Sequence, residues 1–248
     1  LYTLPVSLFG MSVSAAELPA MASATGSDTE IAAALRQRLQ AGLRRIAYFV
    51  VPSAAAFLGL GSVLAAALFQ TGQFSAEDSR YVWGILAGSA VGLLAATMGR
   101  LYSSAYYALR DTRTPLRFAV LRVLLTTLLG YLAAVPLPPL LGLEPRWGAA
   151  GLTATAGIAG WVEFFLLQRD MNARIGATGL SAGELARLWA PALLGAAIGY
   201  GVQSLLPGIH PVLRAAAALV PFGLVYLGGT VALRVPEGRA LLARLRPR

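Results

Sequence analysis

IAYFVVPSAAAFLGLGSVLAAALF, residues 46–69, is an unbroken run of small and apolar side chains without a single charge. A helix rises 1.5 Å per residue, so about 20 such residues cross the ~30 Å hydrocarbon core of a bilayer. The stretch reads as a membrane-spanning helix. Working outward, six further stretches of the same kind lie near 3–24, 81–108, 116–137, 148–168, 187–206 and 212–233. The expected fold is an all-α polytopic membrane protein of seven transmembrane helices. Pro5, Pro19 and Glu17 interrupt the first stretch. Proline removes a backbone hydrogen bond, so a kinked helix is expected there.

Composition agrees with this class. Hydrophobic residues make up 57% and charged residues 12% of the chain, with a mean hydropathy of +0.66. Soluble domains carry about a quarter charged residues. The net charge of +9 is all arginine, since there is no lysine. Most of these arginines sit in short connections beside apolar spans, where membrane orientation and anionic lipid headgroups explain them better than a nucleic acid does. The absence of cysteine excludes disulfides, thiolate metal sites and cysteine nucleophiles. The chain begins at Leu1 inside an apolar stretch, with no basic lead-in of the kind a signal peptide has. It is expected to be the back part of a larger protein.

The connections are asymmetric. Those after the first, third, fifth and seventh spans hold fifteen arginines, and those after the second, fourth and sixth hold three: Arg80, Arg146 and Arg214. By the positive-inside rule the C-terminus is cytoplasmic and residue 1 lies outside. Ser27-Asp28-Thr29-Glu30 reads as a capping box. Ile31, Leu35, Leu39, Leu43 and Ile46 follow at helical spacing, which predicts an amphipathic helix over about 27–45 lying on the inner membrane surface. In Asp111-Thr112-Arg113-Thr114-Pro115, Thr114 suits an N-cap and Pro115 the first helical position of the fourth span.

Gly84, Gly88 and Gly92, and likewise Gly195 and Gly199, are spaced for close helix packing. His210 is the only histidine, and no nucleophile, base and oxyanion set assembles around it or elsewhere. An enzyme, a metal site and a cofactor are not expected. Ionisable residues inside spans cost a few kcal/mol unless paired or hydrated, and so mark candidate sites. Arg100, deep in the third span, is the candidate contact for an anionic substrate. Arg122, Glu163 and Glu17 are weaker candidates. Arg122 and Glu163 lie within snorkelling reach of the inner surface, and Glu17 could cap the kink or pair with a loop arginine.

Several motifs together resemble a known family. Leu4-Pro5, Leu8-Phe9-Gly10 and Leu18-Pro19 in the first span are followed by Leu68-Phe69-Gln70-Thr71-Gly72-Gln73-Phe74, then by Tyr106-Tyr107-Ala108-Leu109-Arg110-Asp111-Thr112-Arg113-Thr114-Pro115. This order is similar to that of the MurJ/MviN family, flippases of the lipid-linked peptidoglycan precursor lipid II within the MOP exporter superfamily. The resemblance covers the whole chain and matches spans eight to fourteen of a fourteen-span fold. It makes Pro5, Gly10, Pro19, Gly72, Asp111, Thr114 and Pro115 motif residues. It implies residues 1–170 as the second transmembrane bundle and 171–248 as a two-helix hairpin with a basic tail. It also implies alternating access around a cationic cavity in a bacterial cytoplasmic membrane, and a requirement for the missing N-terminal half, in the same polypeptide or as a separate partner. Arg100 falls where the family usually carries a basic residue on its tenth span. The family's arginine-rich first helices have no counterpart in this chain, and neither Glu17 nor Glu163 is a family signature. Two alternatives differ in class: another exporter of the superfamily, for polysaccharide-linked lipids or drugs, and a structural membrane subunit that transports nothing.

Overall fold

The structure is a computed structural model, and it describes residues 1–23, 25–70 and 74–245. Seven helices among these residues are long and apolar enough to cross a membrane. We label the elements α1 (Thr3–Ala22), α2 (Asp28–Phe69), α3 (Ala76–Ala108), α4 (Arg113–Ala134), α5 (Leu137–Leu140), α6 (Gly148–Ile175), α7 (Ala182–Ser204), α8 (Pro211–Ala232) and α9 (Pro236–Leu245). No strand occurs among the described residues.

The chain divides into two compact units. The first comprises Leu1–Val50 and Gly88–Leu180, the second Val51–Ala87 and Ser181–Arg248. The sequence places a boundary at 170/171, whereas the division by contacts falls after Leu180 and also assigns Val51–Ala87 to the second unit. Side-chain chemistry accounts for the difference. The 176–180 connection is tied to the first unit: Gln40 Nε2 donates to the Gly179 carbonyl at 2.6 Å, and the Gly179 amide donates back to Gln40 Oε1 at 3.1 Å. Thr178 exchanges a hydrogen bond with the Tyr102 hydroxyl at 2.9 Å, and its amide donates to Asn172 Oδ1 at 2.8 Å. In the second unit, Gly59 approaches Ala196, and Gly199 approaches Leu60 and the Ala218 carbonyl. The second half of α2 is thereby packed against the α7–α8 hairpin. Trp83 Nε1 donates to the Leu58 carbonyl at 2.9 Å and closes the same unit from α3.

Residues 27–45 are expected from the sequence to form an amphipathic helix on the inner membrane surface. α2 is one continuous helix from Asp28 to Phe69, and its apolar stripe is not a membrane-surface face. Leu35, Leu39, Leu43 and Ile46 are all at most 1% exposed, covered by protein within the first unit. Gly42 on the same helix lets Leu101 of α3 approach closely enough to leave no room for a Cβ. Only half of the Ser27–Glu30 box forms: Glu30 Oε2 accepts from the Ser27 amide at 2.8 Å and from its hydroxyl at 2.9 Å. The hydroxyl is turned to the carboxylate and does not cap the Glu30 amide.

α1 is helical throughout, with a wide π stretch over Val6–Met11 that begins one residue after Pro5. Pro19 lies inside its last α-helical part, Ser12–Ala22. Gly10 faces Thr97 of α3, where an added Cβ would meet the threonine side chain at 3.1 Å. The start of α4 also differs from the sequence reading. The helix begins at Arg113, and Asp111 supplies the cap in place of Thr114. Asp111 Oδ1 accepts from the amides of Arg113 and Thr114 at 3.0 Å each, and Thr114 Oγ1 donates to Asp111 Oδ2 at 2.7 Å. A carboxylate holds two orphan amides better than a hydroxyl can, because the acceptor is charged. Gly72 lies outside the described residues.

Candidate functional site: an arginine-lined cavity in the first unit

A cavity of about 570 Å³ opens between α1, α3, α4 and α6, all within the first unit. Three of the four ionisable candidates line it: Arg100 from α3, Arg122 from α4 and Glu163 from α6. Arg122 and Glu163, 41 residues apart in sequence, form an ion pair with Nη1 donating to Oε2 at 3.0 Å. Each is the other's partner, which lowers the cost of placing both charges inside spans. Their side chains are unequally covered, 46% exposed for Arg122 and 14% for Glu163. The carboxylate is the enclosed member, and the guanidinium keeps a face toward the cavity.

Arg100 is exposed to the same cavity and has no ion pair among the described residues. Ser104 also lines the cavity, and its hydroxyl donates to the Arg100 carbonyl at 3.1 Å. Ser14 of α1 is buried beside the cavity, and its hydroxyl has no hydrogen-bond partner. No periodicity marks Ser14 in the sequence; it could not be singled out among the many small residues of the first span. Two arginines against one carboxylate leave this cavity with net positive charge. A smaller cavity of about 290 Å³ adjoins it, sharing Tyr2, Ala96 and Arg122.

Glu17 lies elsewhere in the first unit. It is 8% exposed, and its carboxylate faces Arg45 at 3.6 Å and Arg38 at 3.9 Å, both on α2. These separations exceed those of charge-assisted hydrogen bonds, and Oε2 has no hydrogen-bond partner. The pairing is coulombic, and it ties α1 to α2. Of the two roles open to Glu17 in the sequence, the structure shows pairing with arginine.

The Tyr106–Pro115 motif is a structural clamp. Arg174 at the end of α6 reaches Asp111 Oδ2 at 2.8 Å, Asp170 Oδ2 at 2.9 Å and Thr114 Oγ1 at 3.2 Å. Its guanidinium lies 5.0 Å from the centre of the Tyr106 ring, and the Tyr106 hydroxyl donates to both Asp170 and the Leu167 carbonyl. The Thr114 amide and then its hydroxyl, with Arg174, hold the Asp111 carboxyl down at about 2. Asp170 and Arg174 were legible only as an i,i+4 charge pair, with nothing to indicate their partner across the fold.

Close helix contacts set the frame around the cavity. The Gly92 and Gly157 backbones are in direct contact where α3 crosses α6, so a Cβ on Gly157 would lie 2.6 Å from the Gly92 amide. Trp161 Nε1 donates to the Val91 carbonyl at 2.7 Å one turn away. α4 packs along α6, and only 11% of its apolar window is buried.

The fold and this cavity define a polytopic α-helical membrane protein that presents fixed positive charge within its spans. Comparison with known proteins places it further. Residues 1–216 match the family described as lipid II flippase MurJ, and the chain belongs to that family. It is 33% identical over 168 residues to the probable lipid II flippase MurJ of Rhizobium meliloti (strain 1021), covering 67% of this chain and 29% of the relative. Against the lipid II flippase MurJ of Burkholderia cenocepacia, identity is 29% over 171 residues, covering 68% and 31%. A solved structure, lipid II flippase MurJ in an inward closed conformation, aligns with a TM-score of 0.70 at 20% identity. That alignment covers 97% of this chain and 46% of the solved one, and shows the fold. The matched segment thus spans less than a third of the curated relatives' length.

Proposed function

We propose that this chain forms one lobe of a flippase that moves lipid II across the cytoplasmic membrane, with residue 1 outside and the C-terminus cytoplasmic. In this reading it acts together with a second, N-terminal lobe, and the cavity of the first unit holds the anionic pyrophosphate of the substrate. The observation that carries the proposal is Arg100: a guanidinium inside a span, facing a cavity, with no carboxylate paired to it among the described residues. A cation so placed is costly unless water or an anion compensates it. Arginine matches a pyrophosphate through paired N–H donors. Arg122, held in position by its ion pair with Glu163, would present a second guanidinium to the same cavity. The relatives' names supply the substrate class, and the family's alternating-access architecture supplies the motion.

The test uses the two-lobed protein in proteoliposomes, with lipid II bearing a fluorescent headgroup and protection from an impermeant quencher as the readout. Arg100→Ala should lower the transport rate by about 10- to 100-fold, the loss expected for one charge-assisted contact, while membrane insertion and thermal midpoint stay unchanged. Arg100→Lys should retain part of the rate, because it keeps the charge and loses the fork geometry. Transport at the unsubstituted rate by Arg100→Ala would remove this residue from the mechanism and favour a non-transporting role for the cavity.

A further inference from the structure

The second unit contains another basic cavity, of about 470 Å³, where four helices share one end. The last turns of α2 and α7 and the first turns of α3 and α8 enclose it. Arg80 of α3 and Arg214 of α8 line it, together with Gln70, Tyr200 and Gln203, and no carboxylate does. Neither arginine has an ion pair among the described residues. Arg214 Nε donates to the Gln203 carbonyl at 3.0 Å, which anchors the guanidinium and leaves its two terminal nitrogens without a partner among the described residues.

The location makes this arrangement informative. Three arginines stand on the charge-poor connections, the side from which the positive-inside rule depletes arginine. Arg146 pairs with Glu144. The other two, from connections far apart in sequence, converge on one cavity. Arg214 lies in the first turn of α8, which has no acidic residue there. A cation beside the positive end of a helix is unfavourable, and a bound anion reverses that sign. The cavity sits where spans end, at headgroup depth, beside Tyr200, an exposed aromatic of the kind that anchors at the interface.

We propose that this cavity binds the phosphate of a membrane lipid headgroup through Arg80 and Arg214. The ligand chemistry is a phosphate oxyanion at a helix-end site. The assignment does not depend on Arg100 or on transport, so its failure and that of the flippase reading are separable.

The experiment is native mass spectrometry of the full chain extracted from vesicles of phosphatidylglycerol and phosphatidylcholine. The unsubstituted chain should retain phosphatidylglycerol, and Arg80→Gln/Arg214→Gln should retain about tenfold less, while Arg169→Gln, remote from the cavity, matches the unsubstituted chain. Ala66→Glu keeps both arginines and places a carboxylate on the cavity wall, so it should abolish retention equally. It also carries the test if the double variant fails to insert. Release of the lipid by millimolar inorganic phosphate would identify the free oxyanion as a sufficient ligand; retention would assign the site to the lipid headgroup. Unchanged phosphatidylglycerol retention in Ala66→Glu, with helical content intact, would overturn the proposal.

Discussion

Asp111 shows how much one side chain settles. It caps α4 through two amides, accepts from Thr114 and pairs with Arg174, so a single carboxylate joins the end of α3, the start of α4 and the end of α6. Its carboxyl titrates at about 2, below the ordinary 3.8, chiefly because the Thr114 amide stabilises the anion. A depressed folded value means that the clamp's contribution is complete above the ordinary carboxylate range and is lost as pH falls through about 2. Asp111→Asn should therefore lower the thermal midpoint at neutral pH and flatten its dependence on pH between about 4 and 2, followed by circular dichroism in detergent. An unchanged acid transition would show that the clamp does not limit stability. Gly157 makes a different demand at the same scale. A side chain there meets the Gly92 backbone, which cannot rotate away. Gly157→Val should cost about 1–3 kcal/mol and lower the thermal midpoint, whereas Gly160→Ala, with nothing within 4 Å of its added Cβ, should have little effect.

At the scale of elements, helix ends account for several features that periodicity leaves open. Arg110 and Arg234 have φ of 58° and 59° at the C-terminal ends of α3 and α8. The following amides reach back to the Tyr106 and Thr230 carbonyls at 2.9 Å each, closing the reversals. Glycine adopts this conformation without the Cβ penalty. Arg234→Gly should raise stability by about 1 kcal/mol, seen as a higher thermal midpoint; a lower one would mean that the arginine side chain contributes more than its backbone strain costs. α7 has a complete capping box, Ser181 with Glu184, which ends the tied connection and starts the helix in one motif. Packing within the first unit, as where Leu101 of α3 meets Gly42, buries the α2 stripe. A one-dimensional pattern of Leu35, Leu39 and Leu43 identifies an apolar face but does not distinguish lipid from protein as its cover.

For the whole molecule, the described chain forms two units that cut across the order of helices in the sequence, with the long α2 and α3 contributing to both. Orientation remains a statement about charge on the connections and is directly measurable, because the chain contains no cysteine. Single-cysteine variants at Ser204→Cys, the exposed last residue of α7, and Ala177→Cys, in the connection before it, should react differently with an impermeant maleimide applied to intact cells. Ser204→Cys is expected to label from outside and Ala177→Cys only after permeabilisation. The reverse pattern would invert the proposed topology and place the Arg80–Arg214 cavity on the cytoplasmic side.

The seven spans, their arginine asymmetry and the membership in a flippase family were determined by the sequence itself. The spans and the asymmetry rest on properties that need no partner: length against bilayer thickness, apolar content, and local charge on short connections. The family rests on the order of motifs such as Tyr106–Pro115 and on the match over residues 1–216. The Arg100 candidate also follows from position alone, as an ionisable residue inside a span. Only the tertiary structure decided what these charges face. Arg122 and Glu163 neutralise each other, Glu17 ties α1 to α2, and Asp111 displaces Thr114 as the cap. Arg80 and Arg214 share a cavity. Ion pairs and cavities form between residues distant in the chain. Their existence depends on how helices approach one another, which helical periodicity does not encode.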